Sequence, residues 1–270
     1  MGTTAFIGGG NMASALIGGL LAAGRAPASI LVVEPGENQR RLLRDRFGVE
    51  AQGTADAALS GAEVVVWAVK PQLFREAAAP CAAFVGGALQ LSVIAGVRSD
   101  AIAAASGSDR VVRAMPNTPA LIGQGIAGLF ARAAIDAADR DRVEIMMRPT
   151  GALLWFDREE ALDAVTAMSG SGPAYVFYVL EAMVAAGASM GLAVDDARRL
   201  AVQTVSGAAA LAAASTEPLE TLRRNVTSPG GTTHAAVEQL ERLGVAAAFE
   251  TAIRAAERRA RELGDEFGRP

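Results

Sequence analysis

Three clusters in this 270-residue chain combine residue types and spacings suited to chemistry. The first is Gly8-Gly9-Gly10-Asn11-Met12-Ala13, between a β-rich run, Thr4 to Ile7, and a helical run from Asn11 to about Ala23. It fits G-x-G-x-x-G/A. In a strand–turn–helix unit, Gly8 permits the tight turn, Gly10 lets a pyrophosphate approach the backbone, and Ala13 lets the helix pack closely. The first helical turn, with Asn11 and Met12, then turns its amides and dipole toward the phosphates.

The second cluster lies at the ends of two later β-rich runs. Glu34 follows Ile30 to Val33, where an acid hydrogen-bonds adenosine ribose hydroxyls and repels a 2′-phosphate. Two readings stand: Glu34 does this, or it caps a turn at Pro35-Gly36, with Arg40 and Arg41 in range of a 2′-phosphate. Lys70-Pro71-Gln72 closes the apolar run Val64 to Val69, at the edge where a doubly wound sheet takes ligands. Lys70 is either a contact to a cofactor phosphate or ribose, or a solvated strand end.

The third cluster, Ser228-Pro229-Gly230-Gly231-Thr232-Thr233, reads as a glycine loop entering a helix. The amides of Gly231 and Thr232, at the positive end of that helix, suit a carboxylate. Taken alone, the threonines read equally as helix caps. His234 adjoins Thr233 but points about 100° away around the helix; it is read as a surface or interface histidine.

What is scarce narrows the chemistry. One cysteine (Cys81), one histidine (His234) and one lysine (Lys70) exclude an intrachain disulfide framework and a cysteine-built metal site. They also argue against a multi-histidine metal site and leave few ways to build a nucleophile triad. No metal is expected, and most of the chemistry falls to a bound cofactor. A net charge of −4 gives no footprint for nucleic acid. Residues 1–24 and 77–97 carry no charge, but Gly8-Gly9-Gly10-Asn11 breaks the first, and Pro80 with Gly86-Gly87 breaks the second. The expectation is a cytoplasmic protein without a membrane partner.

The elements that must position these clusters change character along the chain. Strand candidates continue with Leu89 to Ile94, Arg110 to Ala114, Ile126 to Phe130 and Leu153 to Phe156, with helical segments such as Gln39 to Phe47 between strands. Continuous apolar strands separated by helices imply an α/β architecture, a parallel sheet covered on both faces. From Glu159 onward the pattern is helical only: Pro173 to Gly191, Val194 to Ser215, Thr232 to Leu243 and Val245 to Leu263. The expected domains are 1–158, binding the dinucleotide, and 159–270, all helical. Ala182 to Val194 and Gly207 to Ala214 are rich in small residues on nearly every face. That suits burial against another subunit or an ordinary alanine-rich bundle.

With these segments placed, the chain resembles the pyrroline-5-carboxylate reductases. The resemblance rests on Phe6 to Ala13, Ala68-Val69-Lys70-Pro71-Gln72, Arg113-Ala114-Met115-Pro116-Asn117-Thr118-Pro119, Met168 to Phe177 and Val226 to Thr233. It implies an N-terminal Rossmann-type domain and an all-α dimerisation domain that intertwines with a second copy, as a homodimer or a ring of dimers. It implies hydride transfer from NAD(P)H to the C=N bond of 1-pyrroline-5-carboxylate, giving L-proline. NADPH is the family default, and Glu34 keeps NADH in view. Thr233 becomes the catalytic candidate, hydrogen-bonding the imine nitrogen; Ser228, Gly230, Gly231 and Thr232 join it in holding substrate. Gly8, Gly10, Asn11, Met12, Glu34, Ala68, Val69, Lys70, Pro71 and Asn117 are the implied cofactor contacts. The two-domain 3-hydroxyacid dehydrogenases use a lysine on the long helix after the glycine-serine loop, and Ala174 to Met190 contains none. A catalytically silent nucleotide sensor would need only the first cluster.

Overall fold

A computed structural model describes residues 2–267. Met1 and residues 268–270, at the outer ends of the two expected domains, lie outside the described residues. The apolar runs form β1 (Thr3–Ile7), β2 (Ile30–Val33), β3 (Ala51–Gln52), β4 (Ala62–Trp67), β5 (Leu89–Ser92), β6 (Val111–Met115), β7 (Gly125–Ala131) and β8 (Gly151–Phe156). Between them run α1 (Asn11–Ala22), α2 (Glu37–Phe47), the short α3 (Phe74–Ala78) and α4 (Ala82–Val85), α5 (Ser99–Ser106) and α6 (Ala137–Met147).

The strands form one sheet in the order β3-β2-β1-β4-β5-β6-β7-β8. Every neighbouring pair is parallel except β6 and β7, which run antiparallel. This corrects the expectation of a wholly parallel sheet. Residues 116–124 hold only a short 3-10 turn, Thr118–Ile122, and a parallel return needs a crossover of about a dozen residues or more. From β7 to β8, α6 supplies that crossover. The strand period of two then sorts side chains onto two cores. Phe6, Val66 and Leu91 meet Leu16 and Ile17 on one face; Ile7, Val65 and Trp67 meet Phe74 and Ile102 on the other. Trp67 Nε1 donates to Gln90 Oε1 at 2.9 Å, so the buried indole N–H has a partner.

The chain continues through α7 (Ala161–Val165), a π turn (Thr166–Gly170), α8 (Gly172–Ser189), α9 (Val194–Ala214), α10 (Leu219–Asn225), α11 (Thr232–Arg242) and α12 (Val245–Phe267). Two compact units result: residues 2–171 together with 255–267, and residues 172–254. The expected division at 158/159 therefore falls earlier in the chain than the break between units. Residues 159–171 stay with the sheet because their acids are tied to it: Arg113 pairs with Glu159 at 2.6 Å and Arg98 with Asp163 at 2.7 Å. The end of α12 also belongs to the sheet's unit. A side chain at Gly264 would collide with the Arg98 guanidinium, and Leu263 lies against Gly96.

The helical unit packs differently. Helices α8 to α11 bury only Gly187, Ala197 and Ala201. A Cβ at Gly187 would sit 2.8 Å from the Cβ of Ala197, so α8 and α9 cross closely there. Elsewhere the unit leaves large apolar side chains in the open: Phe177 is 59% exposed, Tyr178 74% and Met190 75%. The small-residue stretches expected to be buried on all sides find little of that cover within the chain. Among the described residues, no helix is long and apolar enough to cross a membrane.

Candidate active site

The glycine turn between β1 and α1 shows three glycines with three different jobs. Gly8 has φ of +96°, a conformation other residues adopt only at a cost. A Cβ there would stand 2.7 Å from the Ala68 carbonyl oxygen, so the turn and the chain leaving β4 touch backbone to backbone. Gly9 is gripped from the side: its N–H donates to Glu34 Oε2 at 2.9 Å, and its carbonyl accepts from Gln39 Nε2 at 2.5 Å. Around Gly10 nothing lies within 4 Å of where a Cβ would be, which leaves room over the start of α1. No side chain caps that helix, so its first-turn amides are available to an anion.

Next to this turn a cavity of about 240 Å³ is walled by Gly8, Val33, Pro35, Gly53, Val69 and Leu73, among others. It lies at the carboxyl ends of β1, β2 and β4, where the strand order reverses and doubly wound sheets bind nucleotides. The turn, the open Gly10 and this cavity fit a dinucleotide: room for pyrophosphate above α1 and an apolar slot for the flat base. Ala13 is fully buried under the turn, as close helix packing requires.

The other nucleotide-side residues are placed as follows. Ala68 and Val69 are half-buried beside Gly8, and Ala68 N–H donates to the Ile7 carbonyl at 2.8 Å. They lie just beyond β4, which ends at Trp67, two residues before the end of the run Val64 to Val69. Lys70 is exposed at that edge, with Pro71 opening a 3-10 turn. Asn11 is exposed and Met12 half-buried on the first turn of α1. Asn117 has a fixed structural duty, its Oδ1 accepting from Ile126 N–H at 3.0 Å. That bond ties the end of β6 to β7, and leaves the Asn117 amide NH₂ as the group able to meet a ligand.

A buried charge network supports this edge, and sequence reasoning did not find it. Arg113 on β6 is 4% exposed. Glu159 accepts from Arg113, and also from the Ser99 N–H at 2.7 Å and the Ser99 hydroxyl at 2.6 Å. Burial pulls the Arg113 guanidinium below its ordinary pKa, and the charge of Glu159 opposes that shift. The readable signal was a charge inside the apolar run Val111-Val112-Arg113-Ala114, which demands a buried partner. At the end of β6, the Met115 methyl would lie 2.5 Å from a Cβ at Gly170, so any side chain there would have to push the end of the methionine aside. Ser171 N–H donates to Thr166 O at 2.8 Å, the wide bond of that turn.

In the helical unit, the third cluster is a tight turn. Gly230 has φ of +73°, and Gly231 N–H donates to Ser228 O at 3.0 Å. The Gly231 amide therefore closes the turn, which leaves the Thr232 and Thr233 amides at the start of α11 facing outward. Gly231 is the N-cap and no side chain caps the helix, so neither threonine takes that role. Ser228, Gly230, Thr232, Thr233 and His234 are all exposed on the chain taken singly.

A doubly wound sheet with this glycine cradle, followed by a helical unit, defines the class: an NAD(P)-dependent oxidoreductase. Residues 3–96 match the family described as NADP oxidoreductase, coenzyme F420-dependent, and residues 159–263 match pyrroline-5-carboxylate reductase dimerisation. The pyrroline-5-carboxylate reductase of Pseudomonas aeruginosa is 44% identical over 269 residues, covering 98% of this chain and 97% of that one. Among solved structures, a pyrroline-5-carboxylate reductase from Coxiella burnetii superposes with a TM-score of 0.88 at 36% identity, over 97% of this chain and 98% of that one. The Plasmodium falciparum pyrroline carboxylate reductase, solved with NADP bound, gives 0.86 at 25% identity over 97% and 98%. The chain belongs to the pyrroline-5-carboxylate reductase family.

Proposed function

We propose that this protein reduces the C=N bond of 1-pyrroline-5-carboxylate to give L-proline, the last step of proline synthesis, using NADPH or NADH. The observation that carries the reading is the presence in one chain of two helix N-termini that no side chain caps, each suited to an anion. One is the Gly8–Gly10 cradle before α1, and the other is the Ser228–Thr233 turn before α11. A bound nicotinamide supplies the hydride. The chain's own residues bind and orient. Gly8, Gly10, Asn11 and Met12 receive the pyrophosphate, and Ala68, Val69, Lys70, Pro71 and Asn117 border the remainder of the dinucleotide.

On the substrate side, the amides of Thr232 and Thr233 hold the carboxylate, with Ser228 and Gly230 shaping the turn and Gly231 closing it. Thr233 Oγ1 accepts a hydrogen bond from the iminium N–H. Hydride arriving at the carbon of a protonated imine leaves a neutral secondary amine, so no side chain has to deliver a proton during the step. That accounts for a site built from amides and hydroxyls. Positioning carries the catalysis.

In this reading residues 1–158 serve the dinucleotide and 159–270 serve self-association and substrate, in a cytoplasmic dimer or ring of dimers. The exposed Phe177, Tyr178 and Met190 support self-association, and the one buried, free thiol, Cys81, suits a reducing compartment. Thr233→Ala tests the mechanism. It is expected to lower kcat/KM about 10- to 100-fold, the scale of one hydrogen bond to a charged group, with nucleotide affinity unchanged. Nicotinamide absorbance and proline formation are the readouts; unchanged turnover removes Thr233 from the site.

A further inference from the structure

Glu34 does not simply stand at the end of β2. Its two carboxylate oxygens are held apart, Oε2 by the Gly9 N–H at 2.9 Å and Oε1 by the Gly36 N–H at 2.8 Å. Gly9 is in turn held from its other side by Gln39, and a Cβ on Gly9 would strike Leu43 of α2 at 2.7 Å. The middle of the phosphate turn is thus clamped by the segment that borders the adenosine ribose. Val33 and Pro35, on either side of Glu34, form part of the cavity wall, and Glu34 directly follows the last residue of β2 at that edge.

We infer that this clamp makes Glu34 the cofactor-specificity residue, in favour of NADH over NADPH. The argument rests on the dinucleotide reading given above. A carboxylate free to rotate can swing away from an incoming 2′-phosphate. This one cannot swing without breaking both hydrogen bonds from the backbone amides and loosening Gly9 in the turn that takes the pyrophosphate. Rejection of the 2′-phosphate is therefore felt twice, as repulsion between like charges and as disorder in the phosphate turn. The ribose 2′-hydroxyl meets no such obstacle, because each carboxylate oxygen keeps a second lone pair to accept from it. Of the nearby cations, one is committed to backbone carbonyls and the other to an acid. Arg40 points Nη1 at the carbonyls of Glu34 and Pro35, at 2.9 and 2.7 Å, and Arg41 pairs with Glu37 at 3.0 Å.

The test is titration calorimetry of the full-length protein with ADP-ribose and 2′-phospho-ADP-ribose, fragments that bind without turnover. The unaltered chain is expected to bind ADP-ribose at least tenfold more tightly, about 1.4 kcal/mol. In Glu34→Gln the ratio is expected to shrink to within about threefold, chiefly by a gain for the 2′-phosphate. Gln39→Met, which loosens Gly9 but keeps the charge, is expected to weaken both ligands by a similar factor. Equal or tighter binding of the 2′-phosphate by the unaltered chain overturns the proposal, and that measurement needs no variant to fold. A ratio unchanged in Glu34→Gln also overturns it. If neither fragment binds, the dinucleotide reading fails and the proposal falls with it.

Discussion

In the sheet's unit, Phe6, Leu16, Ile17, Trp67 and Leu91 are buried at 0% exposure, while in the helical unit Phe177 and Tyr178 keep more than half their surface open. Even charges follow this division. The first unit pairs its buried arginine, Arg113, with Glu159 inside itself. The second arranges its ion pairs on the exterior, as with Arg223 and Glu241. The first unit completes its own core; the second presents one to be completed. A sheet sandwiched between helices has two covered faces by construction. A few helices joined end to end have no such guarantee, and large open apolar patches of this kind mark contact surfaces.

The contrast can be broken experimentally at its widest point. Phe177→Glu puts a charge on the open face of α8. In a two-fold assembly the change occurs twice, each at about 2 kcal/mol of lost burial, so self-association is expected to weaken roughly a thousandfold. Light scattering would read the mass, and far-UV circular dichroism would show the sheet intact. An unchanged mass would mean that the open face is not where the chain finds its partner.

The next effect belongs to the self-sufficient unit. Glu159→Gln leaves Arg113 buried without its counter-charge, with an expected loss of about 3 kcal/mol in urea unfolding. Replacing both, Arg113→Met with Glu159→Leu, is expected to recover most of that loss. A double variant as weak as the single one would show that the pair is needed for more than charge balance.

The smallest effect is a pH dependence confined to the same unit. Burial raises the Cys81 thiol to about 11, from an ordinary 9.0. The unfolded chain then releases this proton at lower pH than the folded one. The thiol's stabilising contribution is complete below pH 9 and is lost as pH rises toward 11, by up to about 2.7 kcal/mol. Unfolding free energy should therefore decline more steeply over that range in the unaltered protein than in Cys81→Ala. Parallel curves would show the thiol solvated.

Legibility in the sequence followed length and locality. Seven of the strands announced themselves as apolar runs, while Ala51–Gln52 is two residues long and too short for a period to register. Helix α10 was missed for the same reason, at seven mostly polar residues. The reversal of β7 was implicit in the short linker 116–124, because apolar content marks a strand without giving its direction. On the nucleotide side, Gly8, Gly10 and Ala13 could be assigned roles from the turn motif alone. The duties of Gln39 and Asn117 could not, since each depends on a backbone group brought near by the sheet.

Of the two readings left open at Glu34, the fold shows the turn cap. The carboxylate does cap the turn at Gly36, and it also reaches across to Gly9. What the sequence determined by itself was local: a turn that only glycine tolerates, strand and helix periods, and the order of the family's motifs. Those depend on sterics and hydrogen bonds within a few residues. What only the tertiary structure decided was pairing at a distance. Glu34 meets an amide 25 residues away, and Glu159 meets an arginine 46 residues away. Strand order and register choose such partners, and they emerge only when the whole sheet has assembled.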